Sequence, residues 1–96
     1  MKLVTGIINP LKLDEVFASL FIINVQNICV IEVKGYGQQK GLTEHYRGAL
    51  YEVNFIPKVK FEFTVSDDEL PVVIEAIKTS ASTGHIGDGK IFVYDI

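Results

Sequence analysis

The sequence predicts an α+β fold with four strands and two helices in the order β-α-β-β-α-β. Three patterns carry that expectation. Residues 57–65, PKVKFEFTV, alternate apolar and polar, the two-residue period of a strand with one buried face. Leu13, Val16, Phe17, Leu20 and Ile23 recur at i, i+3, i+4 and i+7, one stripe of a helix. The apolar segments on either side of these read in turn as strand, strand, helix and strand, with turn residues between them.

Taken in order, residues 2–9, KLVTGIIN, form the first strand, closed by Pro10. The helix follows in LKLDEVFASLFI, with Asp14 and Glu15 in the first turn, where carboxylates suit the positive end of the helix dipole. Asn24 follows the last apolar position and tolerates the left-handed conformation that ends many helices. Residues 25–37, VQNICVIEVKGYG, are rich in valine and isoleucine and read as the second strand. Val59, Phe61, Phe63 and Val65 make the buried side of the third, against Lys58, Lys60, Glu62 and Thr64. In SDDELPVVIEAIKTSAS, Ser66 or Asp67 is the expected N-cap and Pro71 fits the first turn. Val72, Ile74, Ala76 and Ile77 are the expected apolar content of that second helix, and IFVYDI is the fourth strand. This order is the ferredoxin-like split pattern. One connection breaks the usual length rule: residues 37–56, between the second and third strands, are a functional or disordered loop by length.

The chain's 96 residues make one domain, and 48% hydrophobic against 22% charged content excludes a disordered chain. A net charge of −3 argues against nucleic acid as a direct partner. The single cysteine, Cys29, permits no intrachain disulfide. No apolar run approaches the length of a membrane span, and the N-terminus lacks the pattern of a signal peptide. The expected setting is a reducing intracellular one: cytoplasm, or equally the stroma of a plastid.

The stretch TGHIGDGKIF, residues 83–92, poses the functional question. Gly84, Gly89 and Lys90 spell G-x-x-x-x-G-K, but Ile91 stands where a Walker loop needs Ser or Thr. A Walker loop also runs from strand to helix, whereas here the helix precedes the glycines. Free backbone N–H groups beside Lys90 can still cradle an anion, and on physics alone that cradle and a plain glycine turn remain equally open. A second glycine- and lysine-rich stretch, KGYGQQKG at 34–41, sits where the second strand ends, so the two loops could share one anionic ligand, across subunits if need be.

Four stretches taken together, VKGYGQQKG (33–41), TEHYRGALY (43–51), PKVK (57–60) and TGHIGDGKIFVYD (83–95), resemble the PII nitrogen-regulatory signal proteins across the whole chain and in order. The resemblance implies a non-enzymatic homotrimer. It would bind ATP or ADP between subunits, take 2-oxoglutarate together with Mg-ATP, and act on partners through a T-loop, residues 37–56. Those partners would be an ammonium transporter or nitrogen-metabolism enzymes and regulators; no membrane-embedded part is implied. Residues 82–90 match the family's B-loop.

Residue by residue, Gly87, Asp88, Gly89 and Lys90 match the phosphate contacts of that loop. Gly35, Tyr36 and Gly37 match the turn at the T-loop base, with Tyr36 in place of the more usual Phe. Glu62 matches a position near the adenine. Gln39 matches the side chain on magnesium, and Lys58 the cation that pairs with a 2-oxoglutarate carboxylate, as a dicarboxylate requires. Ile7 and Gly41 match positions lining that pocket. Tyr51 matches the tyrosine uridylylated in many members, and Ala49 stands where others carry a phosphorylated serine. Several positions depart from the pattern or extend it. Gln38 replaces a basic residue, Cys29 replaces a threonine beside the adenine, and Thr64 should line the same cleft as Glu62. Asn24 and Asn27 replace glycines, the least costly exchange at positive φ. Two arginines that hold phosphates in family members belong to a segment beyond the position matching Ile96. An adenine-nucleotide sensor without a 2-oxoglutarate response is the alternative; a ferredoxin-like enzyme or a purely structural trimer ranks behind both. The plain reading of Cys29 is a small buried residue, and of Phe17, Phe21, Phe61 and Phe63 is core, with Phe21 and Ile22 otherwise marking an interface.

Overall fold

The computed structural model describes residues 1–36, 43–46, 49–52, 55–82 and 89–96. Strand β1 (Lys2–Ile8) leads through a 3-10 turn (Pro10–Lys12) into helix α1 (Leu13–Ile22). Strands β2 (Cys29–Tyr36), β3 (Thr43–Tyr46), β4 (Ala49–Glu52) and β5 (Phe55–Val65) follow, then helix α2 (Leu70–Ala81) and strand β6 (Gly89–Asp95). The main sheet has the order β2-β5-β1-β6, and β3 pairs with β4 in a separate antiparallel ribbon. β1 runs antiparallel to both β5 and β6, and β2 antiparallel to β5. This is the ferredoxin-like arrangement that the sequence predicts, with the ribbon added inside the 37–56 connection.

The core lies between the sheet and the helix layer. Val4, Ile8, Val59, Phe61, Phe63 and Val65 point into it from the strands, and Val16, Leu20, Val73, Ile77 and Ala81 from the helices. Phe61 is fully buried, and its ring lies so close under Gly6 that a Cβ there would come within 2.3 Å of it. Gly6 is the space in β1 that the Phe61 ring needs. The ring also stacks on Phe63, centroids 6.1 Å apart.

Local signals set the element ends. The Asn9 side chain accepts the Leu11 N–H at 3.0 Å and starts the 3-10 turn. α1 ends as expected: Asn24 is left-handed at φ 64°, its N–H donates to Phe21 O, and the Val25 N–H donates to Leu20 O. This is a Schellman closure. It also corrects the start of β2, which begins at Cys29 and not at residue 25, because Val25 is committed to closing the helix and Asn27 is left-handed at φ 59°. Ser66 accepts the Glu69 N–H and donates to the Glu69 carboxylate, capping a turn that precedes the helix proper. In α2 the buried valine is Val73, whereas Val72 is 57% exposed.

Exposed ion pairs close the far end of the sheet. Lys2 binds Asp95 across the β1–β6 edge, and the Met1 ammonium meets Asp67 at 3.1 Å. The hydrogen bond from Lys2 holds the Asp95 carboxyl below its ordinary range, and the same bond raises Lys2.

Candidate functional site

Both helices cover one side of the sheet, and the other side is open. Strand alternation and register decide which residues stand there. On β5, Lys58, Lys60, Glu62 and Thr64 lie opposite the buried Val59, Phe61, Phe63 and Val65. Their cross-strand partners share the side. One row runs Cys29, Glu62, Thr5, Phe92, and the next Ile31, Lys60, Ile7, Lys90. Val33 pairs with Lys58 at one end; Thr64, Leu3 and Tyr94 form a row at the other.

Six of the residues singled out in the sequence therefore meet on this open face: Ile7, Cys29, Lys58, Glu62, Thr64 and Lys90. They fall in two groups. Cys29, Glu62 and Thr64 occupy one half; Ile7, Lys58 and Lys90 the other. From strand spacing and rise, the Glu62 and Lys90 backbones stand about 12 Å apart. The first half offers a carboxylate and a thiol, suited to hydrogen bonding, and the second offers ammonium groups, suited to anions.

Glu62 is fixed in place. The Thr5 hydroxyl donates to its Oε2 at 3.2 Å, and Thr5 is the buried polar residue of β1. Sequence reasoning passed over Thr5; the signal was a hydroxyl set in the apolar run LVTGII, one strand from Glu62. Lys60, which the sequence motifs leave without a role, stands between Ile7 and Ile31 on the same face. Cys29 is exposed, correcting the reading of it as a small buried residue: β2 is an edge strand, and Cys29 lies on its helix-free side.

Gly89 opens β6 at φ 150°, and a Cβ there would stand 2.3 Å from Ile7 O. Both the conformation and the contact demand glycine, and they press the start of β6 against the end of β1. α2 ends at Ala81 and β6 starts at Gly89, so the glycine stretch runs from helix to strand, the reverse of a Walker loop. Beside Gly89 a cleft of about 260 Å³ opens, walled by Ile8, Ile77 and Ile91 with Lys78 and Lys90. Gly35 and Tyr36 end β2, paired in backbone register with Ile56 and Phe55, and Tyr51 in β4 pairs with Glu44. Gly37, Gln38, Gln39, Gly41, Gly87 and Asp88 lie outside the described residues. Among the described residues no group of His, Cys, Asp and Glu side chains is arranged to hold a metal ion, and no helix is long and apolar enough to cross a membrane.

Residues 1–96 match the family described as nitrogen regulatory protein P-II. Similar curated proteins include the nitrogen regulatory protein P-II of Rhizobium etli, 56% identical over all of this chain and 86% of that protein. The nitrogen regulatory protein GlnK of Escherichia coli is 54% identical, and the P-II protein of Rhodospirillum rubrum 56%, each with the same coverage. The chain belongs to the nitrogen regulatory protein P-II family, whose members are regulatory signal proteins and not enzymes.

Proposed function

We propose that this protein is a nitrogen, carbon and energy signal protein, which binds ATP or ADP and, with Mg-ATP, 2-oxoglutarate. It would pass their state to partner proteins through residues 37–56, the T-loop. The observation that supports this reading best is the clustering of Ile7, Cys29, Lys58, Glu62, Thr64 and Lys90 on one open sheet face. Sequence separation alone does not require residues from β1, β2, β5 and β6 to share a side. Glu62, anchored by Thr5, suits the hydrogen-bonding edge of an adenine or a ribose hydroxyl. Lys90 with the backbone of the 82–90 B-loop suits phosphates, and Lys58 suits one carboxylate of 2-oxoglutarate. Gln39 would hold the magnesium, and Gly35, Tyr36, Gly37, Gln38, Gly41, Gly87 and Asp88 would complete the two pockets.

The open face also supports a homotrimer. Ile31, Phe92 and Tyr94 are 52%, 41% and 50% exposed on it, an apolar surface that a second copy would cover. A trimer would let the Cys29–Glu62–Thr64 half of one subunit meet the Ile7–Lys58–Lys90 half of another. Differential binding of effectors to T-loop states is then the switch, because a ligand shifts an equilibrium only by its difference in affinity for the two states. The loop's target would be an ammonium transporter or a nitrogen-metabolism enzyme or regulator, in the cytoplasm or a plastid stroma. Tyr51 is the position open to uridylylation.

A second reading, an adenine-nucleotide sensor without 2-oxoglutarate, is favoured by Gln38, which lacks the charge that the family usually places there. Calorimetric titration of 2-oxoglutarate with and without Mg-ATP separates the two. Heat of binding only in the presence of Mg-ATP is the expected result. Nucleotide binding with no 2-oxoglutarate response would replace the proposal by the second reading, and absence of nucleotide binding would remove both.

A further inference from the structure

Helix α1 carries two apolar strips. Leu13, Val16, Phe17, Leu20 and Ile23 meet the core. Ala18, Phe21 and Ile22, at i, i+3 and i+4, face away from it. Phe21 is 79% and Ile22 78% exposed, which corrects the reading of Phe21 as core and leaves its alternative as an interface residue. From Val16 to Ile23 the helix is apolar on every side except at Ser19. A helix apolar all round is ordinarily covered.

The surface continues onto α2. β1 and β5 are antiparallel, so the helices that follow them run antiparallel too, and the end of α1 lies beside the start of α2. Ser19 shares a groove of about 540 Å³ with Pro71, Val72, Glu75, Ala76 and Thr79. Its small side chains let another helix approach closely. Charge is uneven along the layer. At the opposite end Lys12 and Lys78 are offset by Asp14 and Glu15, and Glu15 pairs with Lys12 at 3.4 Å. Asp68 and Glu75 flank the apolar end, and among the described residues neither has an ion-pair partner.

We propose that the outer surface formed by Ala18, Phe21, Ile22 and Val72 is a docking site for a basic amphipathic helix of a partner protein. Leucine-like side chains would cover Phe21 and Ile22 and enter the groove, and lysine or arginine on the rim would face Asp68 and Glu75. A second copy of this chain fits worse, because two such surfaces would bring their unpaired carboxylates together. The site lies on the helix side of the sheet, away from Lys58 and Glu62, so its occupation is compatible with an open face engaged elsewhere.

The test uses a fluorescent amphipathic peptide of leucine and lysine, and the same peptide with glutamate for lysine, titrated against the full chain by anisotropy. The expected result is binding of the lysine peptide and at least roughly tenfold weaker binding of the glutamate peptide. The double substitution Phe21→Ser with Ile22→Asn should weaken the lysine peptide by roughly tenfold or more, and Glu75→Lys should weaken it as well. Both exposed positions leave the core intact, which circular dichroism checks. No binding of the lysine peptide overturns the proposal. So does binding that the double variant leaves unchanged, which would place the peptide elsewhere on an acidic surface. A drop in oligomeric mass of the double variant overturns it in favour of a second copy.

Discussion

The two sides of β5 are made of the same eleven residues and live under different rules. On one side Val59, Phe61, Phe63 and Val65 are no more than 5% exposed and hold the helices to the sheet. On the other, Lys58, Lys60, Glu62 and Thr64 carry the charges and hydroxyl of the proposed site. A strand turns successive side chains to opposite faces, so packing and chemistry can be built from alternate residues. The price is register: a slip of one residue would send Glu62 into the core and Phe61 out. Gly6 bears on that register from the neighbouring β1, since the Phe61 ring leaves no room there for a side chain.

The division predicts large stability effects on the buried side and functional effects on the open one. Phe61→Ala should cost about 3–5 kcal/mol in urea unfolding, against a total of about 5–15 for a domain of ordinary stability. A cost under about 1 kcal/mol would break the division at its centre. Gly89→Ala should cost about 1–3 kcal/mol through strain at φ 150° and the clash with Ile7 O. Faster amide exchange in β6 than in β5 is the accompanying signature.

Thr5→Val keeps the shape and removes the hydrogen bond to Glu62. It should cost about 1 kcal/mol and weaken nucleotide binding, measured by thermal unfolding and calorimetry on the same sample. Lys58→Ala should change stability by less than about 1 kcal/mol yet abolish the 2-oxoglutarate response while nucleotide still binds. A response that survives would move that ligand off the open face.

The smallest effect belongs to the exposed Lys2–Asp95 pair. Asp95 is lowered by Lys2, so its contribution is present above the ordinary carboxylate range and is lost as pH falls through the depressed value. Lys2 is raised, so its side of the pair fails only as pH rises past the ordinary lysine range. Asp95→Asn should thus lower the melting temperature slightly at neutral pH, less in high salt, and not at all in strong acid.

Much of this was legible in the sequence because it is local. The stripe of α1, the alternation of β5, the closure at Asn24 and the Pro71 start of α2 depend on residues within a turn or two of each other. Failures came where a neighbour in space decides. TEHY and ALYE are too short to announce strands, and they become β3 and β4 only by pairing with each other. Val72 and Val73 are the same residue type one position apart; the placement of α2 against β5 and α1 selects Val73. Phe21 has the composition of core, but the rotation of α1 turns it outward.

The sequence by itself determined the order of the four main-sheet strands and two helices, the split topology, the family and the residue types of the proposed site, because periodicity and motif are written along the chain. Only the tertiary structure decided that Cys29, Glu62 and Thr5 form one row, that Ile7 lies between Lys60 and Lys90, and that α1 presents a second apolar strip to the outside. Those facts depend on cross-strand register and helix rotation, which are settled when Phe61 packs beneath Gly6 and Gly89 meets Ile7, contacts between residues far apart in the chain.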